Sequence, residues 1–119
     1  MKSLKYFNKS EFVCDGKNCF NKMDGETLVM LDDARGIAGT PFKINSSWRN
    51  ELANDIAGGK PNSAHLRGTA VDIACNNSTK RNVILGALFE AGFTRIGIAK
   101  TFIHADTDEE LPQNVVWLY

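Results

Sequence analysis

Asn62-Ser63-Ala64-His65-Leu66-Arg67-Gly68-Thr69-Ala70-Val71-Asp72 is the stretch on which the reading of this chain turns. It holds one of the two histidines and, seven residues later, an aspartate, with a glycine and an alternating run between them. The other histidine, His104, also lies in alternating apolar sequence and has Asp106 two residues beyond it. Imidazole and carboxylate are the nitrogen and oxygen donors of catalytic zinc sites, which take three protein ligands and leave one position for water. His65, Asp72 and His104 make up such a set. Each alone has an ordinary explanation: a half-buried hydrogen-bonded histidine, or a strand aspartate paired with an arginine. Together they are three groups expected on strands, pointing off the apolar side, and they include every histidine in the chain.

Outward from that stretch, Thr69 to Cys75 alternates as a strand, with Val71 and Ile73 facing one way and Ala70, Asp72 and Ala74 the other. Upstream, Leu28, Leu31, Ala34 and Ile37 recur at helical spacing from Asp24 to about Ala38, and Gly39-Thr40-Pro41 is the stop. Phe42 to Asn45 reads as a short strand, Asn50 to Ala57 as a weak helix or loop, and Gly58-Gly59-Lys60-Pro61 as a breaker. Residues 1–9 read as an extended lead-in, with Ser10 as the cap of a short turn. Downstream, Ser78 is placed to cap a second long helix with Ile84, Leu85, Leu88, Phe89 and Ala91 as its stripe and Gly92 as its stop. Phe93–Ile98 and Phe102–Asp106 form a hairpin of strands, with Phe102, His104 and Asp106 on one face, and Val115 to Tyr119 closes the chain as a strand. The expected class is α+β: a small, mostly antiparallel sheet with two main amphipathic helices.

The chain has 119 residues, enough for one self-sufficient core, and no repeat or linker divides it, so residues 1–119 are read as a single domain. Its fourteen basic and fourteen acidic residues cancel, which marks neither a nucleic-acid nor an anionic-membrane surface. Met1 to Phe7 is basic without an apolar run behind it, and no stretch reaches membrane-spanning length. The expectation is synthesis in the cytoplasm without a signal peptide. An odd count of three cysteines favours reduced thiols, with Cys14 and Cys19 in a loop and Cys75 buried at a strand end, although a local disulfide or a metal loop can be drawn between Cys14 and Cys19.

Ser63-x-His65-x-x-Gly68-x-Ala70-x-Asp72, with His104 in Phe102-Ile103-His104-Ala105-Asp106, resembles the zinc D-alanyl-D-alanine carboxypeptidases and related endolysin peptidases, whose fold is shared with the hedgehog signalling domain. Ile44-Asn45-Ser46-Ser47-Trp48-Arg49 is similar to that family's strand leading into Ser-x-aromatic-Arg, and Val115-Val116-Trp117 fits its small members. The resemblance covers nearly the whole chain from Ser10 on. It implies zinc bound by His65, Asp72 and His104, and Gly68 turning the chain tightly between the first two. Arg49 would neutralise a substrate carboxylate or polarise the scissile carbonyl, a task its two-pronged donor geometry suits. Ser63 would hydrogen-bond substrate at the rim, or serve only as a turn hydroxyl.

One position departs from the pattern. The best-known members carry a Glu or Asp three residues before the last histidine, and here that residue is Thr101. Small members often read His-x-Asp, so Asp106 is the expected general base; its other reading is a carboxylate that orients the His104 ring. Asp108, Glu109 and Glu110 are assigned to a solvated loop. The implied activity is zinc-assisted hydrolysis of a D-alanine-containing bond in the peptidoglycan stem peptide by a monomer, as a phage-type lysis enzyme or a cell-wall remodeller. A zinc-bearing or metal-free binding module that has kept the fold and lost hydrolysis is the alternative.

Overall fold

Among the described residues, Ile44–Ser46, Ala70–Ala74, Phe102–Asp106, Arg95–Ile98 and Val115–Leu118 form one five-stranded sheet in that order, and Val13–Cys14 pairs with Lys17–Asn18 as a separate hairpin. The computed structural model describes residues 4–119, so the lead-in expected over 1–9 lies in part outside the described residues. The strands are β1 (Val13–Cys14), β2 (Lys17–Asn18), β3 (Ile44–Ser46), β4 (Ala70–Ala74), β5 (Arg95–Ile98), β6 (Phe102–Asp106) and β7 (Val115–Leu118). The helices are α1 (Gly25–Ala38), α2 (Glu51–Ile56) and α3 (Ser78–Ala91). All pairings in the large sheet are antiparallel except β5 with β7, which is parallel. The expected α+β class, with a mostly antiparallel sheet and two main helices, is what the chain adopts.

Alternation decides which side of the sheet is which. Val71, Ile73, Ile96, Ile103 and Ala105 are all fully buried and join Leu28, Leu31, Ile84 and Leu88 of α1 and α3 in one core cluster. Burial of this kind stabilises by about 25 cal/mol per Å² of apolar surface. The residues between them line the opposite face. Asp72 pairs with His104, His104 with Gly97, and Gly97 with Trp117, so one row crosses four strands on that face.

Both long helices begin and end as their sequences dictate. The Asp24 carboxylate accepts from the Thr27 N–H to cap α1, and Gly39 at φ 65° ends it. Three of the four stripe residues of α1 are buried, but Ile37 is exposed. The cap of α3 is Asn77, one residue before the expected Ser78, with its side chain accepting from the Lys80 N–H. On that helix Ile84 and Leu88 are buried while Phe89 is half-exposed, and Ala87 takes the inward position instead. The turn at Lys9–Glu11 is capped by Asn8 rather than Ser10, with the Asn8 N–H donating to Glu11. The segment ahead of it is tied down by Asp32 of α1, whose carboxylate accepts from the N–H groups of Lys5, Tyr6 and Phe7. The weak pattern at Asn50 to Ala57 is a helix, capped by Asn50, which buries only Asn54.

Two expectations are corrected. Cys14 and Cys19 form a disulfide rather than remaining free thiols, their Cα atoms 5.7 Å apart, within bridging range. The count was odd because Cys75, buried just after β4, is the one left out. The hairpin that brings the pair together turns at Asp15 (φ 51°) and Gly16 (φ 76°), the positive-φ pair that Asp-Gly favours in tight hairpins. His65, expected on a strand, lies in a 3-10 turn over Ala64–Arg67. No described helix is long and apolar enough to cross a membrane.

Candidate metal centre

His65, Asp72 and His104 are brought together from the turn before β4, the middle of β4 and the middle of β6. Each offers one ligand atom, these atoms lie within 4.8 Å of one another, and all three residues are buried. His65 reaches the sheet because its turn is closed at both ends. The Ser63 hydroxyl accepts from the His65 N–H at 3.2 Å, and Gly68 (φ 71°) packs against the Lys22 carbonyl where a Cβ would collide.

Which ring atoms face the centre follows from what holds the other ones. His65 Nδ1 lies 2.7 Å from the Ser47 carbonyl oxygen. A carbonyl only accepts, so Nδ1 carries the proton and Nε2 is left with its lone pair, 3.4 Å from Asp72 Oδ1. His104 is mounted the other way round. Its Nδ1 faces Asp72 Oδ1 at 3.1 Å, while its Nε2 donates to Asp106 Oδ2 at 2.6 Å. Ligating histidines ordinarily have their second nitrogen fixed by a carbonyl or carboxylate, and here one has each. Two imidazole nitrogens and a carboxylate oxygen, converging and backed in this way, suit zinc.

The charges reinforce the arrangement. Burial alone would raise the Asp72 pKa, but the neighbouring His104 and His65 rings outweigh it and hold its carboxyl well below the usual range. Burial likewise pushes the His104 ring down, yet Asp106 and Asp72 outweigh it and the pKa is raised.

Asp106 is not where a general base would need to be. Its side chain is fully buried, Oδ1 accepts from Arg95 Nε at 2.7 Å and from the Asp108 N–H at 3.1 Å, and Oδ2 is taken by His104. It stands behind the imidazole, on the nitrogen that faces away from Asp72. This geometry matches the orienting carboxylate. Thr101 is exposed in the β5–β6 turn, where its carbonyl accepts from the Cys75 N–H. Asp108, assigned to a solvated loop, is instead buried, because Arg67 Nε (2.6 Å) and Thr69 Oγ1 (2.7 Å) both donate to it. Glu109 and Glu110 are exposed as expected.

Arg49 stands on the open side. Its Nε donates to Ser46 Oγ at 3.0 Å and its Nη2 to Asp72 Oδ2 at 3.3 Å. Nη1 has no protein partner among the described residues. A cleft of about 800 Å³ opens over the centre, with Arg49, Lys60 and Ser63 on one side and Phe102, Trp117 and Tyr119 on the other. The Trp117 ring lies 5.2 Å from that of His104 and 5.1 Å from the Arg95 guanidinium. It can lie so close to the sheet because Gly97 has no side chain: a Cβ there would stand 2.5 Å from the indole nitrogen.

Ser47, Arg95 and Trp117 escaped assignment to this site from sequence alone. Alternation places Arg95 on the face of Gly97, but only the register sets it beside Asp106. The Ser47 contribution is a backbone carbonyl, which no side-chain pattern announces.

A family model described as Peptidase M15 matches residues 5–106, a span that contains the whole donor set, Arg49 and Asp106. Comparison with curated proteins brings no match. Peptidase M15 is the family of the zinc D-alanyl-D-alanine carboxypeptidases, and membership implies hydrolytic metallopeptidase chemistry. With the match covering most of its length, and the His-Asp-His donor set inside it, this chain belongs to the M15 peptidase family.

Proposed function

We propose that this protein is a single-domain zinc peptidase over residues 1–119 that hydrolyses a D-alanine-containing bond of the peptidoglycan stem peptide. The observation that carries the reading is the convergence of His65 Nε2, Asp72 Oδ1 and His104 Nδ1, with the other nitrogen of each ring engaged by its own acceptor. Zinc held there supplies Lewis acidity and a water whose pKa falls to about 7.

The chain's own residues do the rest. Ser47 and Asp106 hold the two rings in the tautomers that point a lone pair inward. Arg49 lines the cleft with its Nη1 unpartnered among the described residues, and donates to a substrate carboxylate or to the oxygen of the scissile carbonyl as negative charge develops there. Ser63 has its oxygen accepting from the turn, and its O–H remains free to donate to substrate at the rim. Asp72 and Asp106 are the only carboxylates among the described cleft residues, and both are engaged. Arg49 therefore acts electrostatically, with no free carboxylate base beside it. The protein works as a monomer on cell-wall peptide, without nucleic-acid or membrane partners, wherever release from the cytoplasm brings it to the wall.

Mass spectrometry of purified peptidoglycan after digestion tests this reading. Expected is a zinc-dependent cut next to D-alanine that a chelator abolishes and added zinc restores. Binding of stem peptide without any cut, in zinc-loaded protein, would assign the chain to the binding modules instead.

A further inference from the structure

The Cys14–Cys19 disulfide stands at one end of a line of contacts that finishes at the His65 ring. Ser47 is the link. It is buried, at 1% exposure, and its Oγ lies 3.3 Å from both Cys14 Sγ and Cys19 Sγ. Its carbonyl is the acceptor, at 2.7 Å, that keeps the proton on His65 Nδ1. One small residue thus touches the disulfide with its side chain and sets the histidine tautomer with its backbone.

We infer that the Cys14–Cys19 disulfide is a redox control on the metal centre: when closed it holds Ser47, and through Ser47 the His65 ring, in the zinc-binding arrangement, and when opened it loosens the centre's hold on zinc. The inference rests on His65, Asp72 and His104 being the ligand set proposed above. Its physical basis is that the covalent bond fixes the two sulfurs relative to each other, and so fixes both contacts of the Ser47 hydroxyl at once. As separate thiols they part at least to van der Waals separation, and the contacts of Ser47 with them are no longer fixed together. The β1–β2 hairpin has only two residues in each strand, and of the two cysteines only Cys19 is buried in the core, so Cys14 has little besides the bond to hold its sulfur in place. The main chain of the histidine turn stays anchored, since the Arg49 N–H donates to the His65 carbonyl at 3.1 Å. What changes is the acceptor behind the ring, not the fold.

Opening the bond takes a dithiol reductant. A thiolate of that reductant attacks Cys14 Sγ, the less buried of the pair, and the Sγ–Sγ bond breaks. Cys19 leaves as a thiolate and takes up a proton. The reductant's second thiol then displaces Cys14 as a thiol, so two electrons pass to the protein and the reductant departs as a disulfide. Reducing compartments keep such bonds open and oxidising ones close them. The tight zinc site therefore belongs to the oxidising side of the cell boundary, which is where a wall-cutting enzyme has its substrate.

The test reads the ring and the metal separately. Nitrogen-15 NMR of His65 in metal-free protein reports the tautomer, before and after anaerobic reduction by a dithiol that is then removed. Competition with a chromogenic chelator reports the zinc dissociation constant of both forms. Expected with the disulfide closed is a single Nδ1–H tautomer; reduction should mix the tautomers and weaken zinc binding by about tenfold or more, the scale of lost support behind a ligand. Ser47→Ala should be weakened already when oxidised and should respond little to reduction, whereas Ser47→Thr, which keeps the hydroxyl, should restore the response. Cys14→Ser with Cys19→Ser should match the reduced wild type. Identical tautomer and zinc affinity in the two redox states would overturn the inference. If oxidised protein binds no zinc at all, the ligand set is what fails, and the tautomer comparison, made without metal, still decides the redox link.

Discussion

Asp72 and His104 stand directly opposite each other across the β4–β6 pairing, with His104 Nδ1 3.1 Å from Asp72 Oδ1. Two of the three donor groups are thus set by strand register rather than by loop conformation. Asp72→Asn keeps the size and loses the charge, so zinc affinity should fall by about a hundredfold or more as a ligand is lost, beyond the cost of losing support behind one. Far-UV circular dichroism should stay native, since the core lies on the opposite face. Stoichiometric tight zinc in the purified variant would show that Asp72 is no ligand.

Asp106→Asn distinguishes two roles for that carboxylate. As the group that orients His104, its loss should weaken zinc by about ten- to a hundredfold. It should also destabilise the protein by about 1–3 kcal/mol, because Arg95 loses a buried charged partner. A general base would give the opposite pattern, with zinc affinity kept and only hydrolysis lost. Chelator competition and a urea titration on the same preparation separate the two.

Arg49→Lys keeps the charge but not the planar fork. Hydrolysis should drop by about a hundred- to a thousandfold, as on removal of a donor to the developing oxyanion, with zinc content unchanged. Steady-state kinetics on a stem-peptide substrate, paired with metal analysis, checks this. Full activity in the lysine variant would remove Arg49 from the chemistry.

Acid should act on this protein partly through Asp108. Burial pushes its pKa up, but the Arg67 and Thr69 hydrogen bonds outweigh that and the carboxyl titrates below its ordinary value. A group depressed in the folded state binds protons more readily when unfolded, so its contribution is complete above the unfolded pKa of about 3.9. It is lost as pH falls through the lower folded-state value. Wild type should therefore lose stability on going from neutral pH to below about pH 4, and Asp108→Asn should be less stable at neutral pH with a shallower acid slope. Denaturant midpoints across that range read both effects.

Gly97→Ala should displace Trp117. The added methyl would stand 2.5 Å from its indole nitrogen and 2.8 Å from the Tyr119 ring, and overpacking of this kind costs about 1–3 kcal/mol. In a Trp48→Phe background the remaining tryptophan reports the move as a change in fluorescence. An unchanged spectrum and midpoint would mean that the ring does not lie on the sheet at Gly97.

The strands, the two long helices and the donor set were legible because each rests on local regularity. Val71 and Ile73 alternate with Asp72, Leu28 and Leu31 keep helical spacing, and Asp24 and Gly39 bracket α1. What escaped depends on contacts between distant segments. The partner of Asp106 is Arg95, eleven residues back in sequence and opposite it in the sheet. The disulfide was misread from an odd cysteine count, although Asp15-Gly16 between the two cysteines is a hairpin signal that brings them together. Ile37 and Phe89 fit their helical stripes and are nonetheless exposed, since periodicity fixes a face but not which of its positions a neighbour covers.

The two walls of the cleft are held very differently. On one side Asp72, His104, Gly97 and Trp117 form a row across hydrogen-bonded strands backed by the core. On the other, α2 buries only Asn54, leaves Leu52 and Ile56 in solvent, and runs into Gly58-Gly59-Lys60. Changes of length in segment 51–62 should therefore cost less stability than changes in β4 or β6, which carry Asp72 and His104 between core strands.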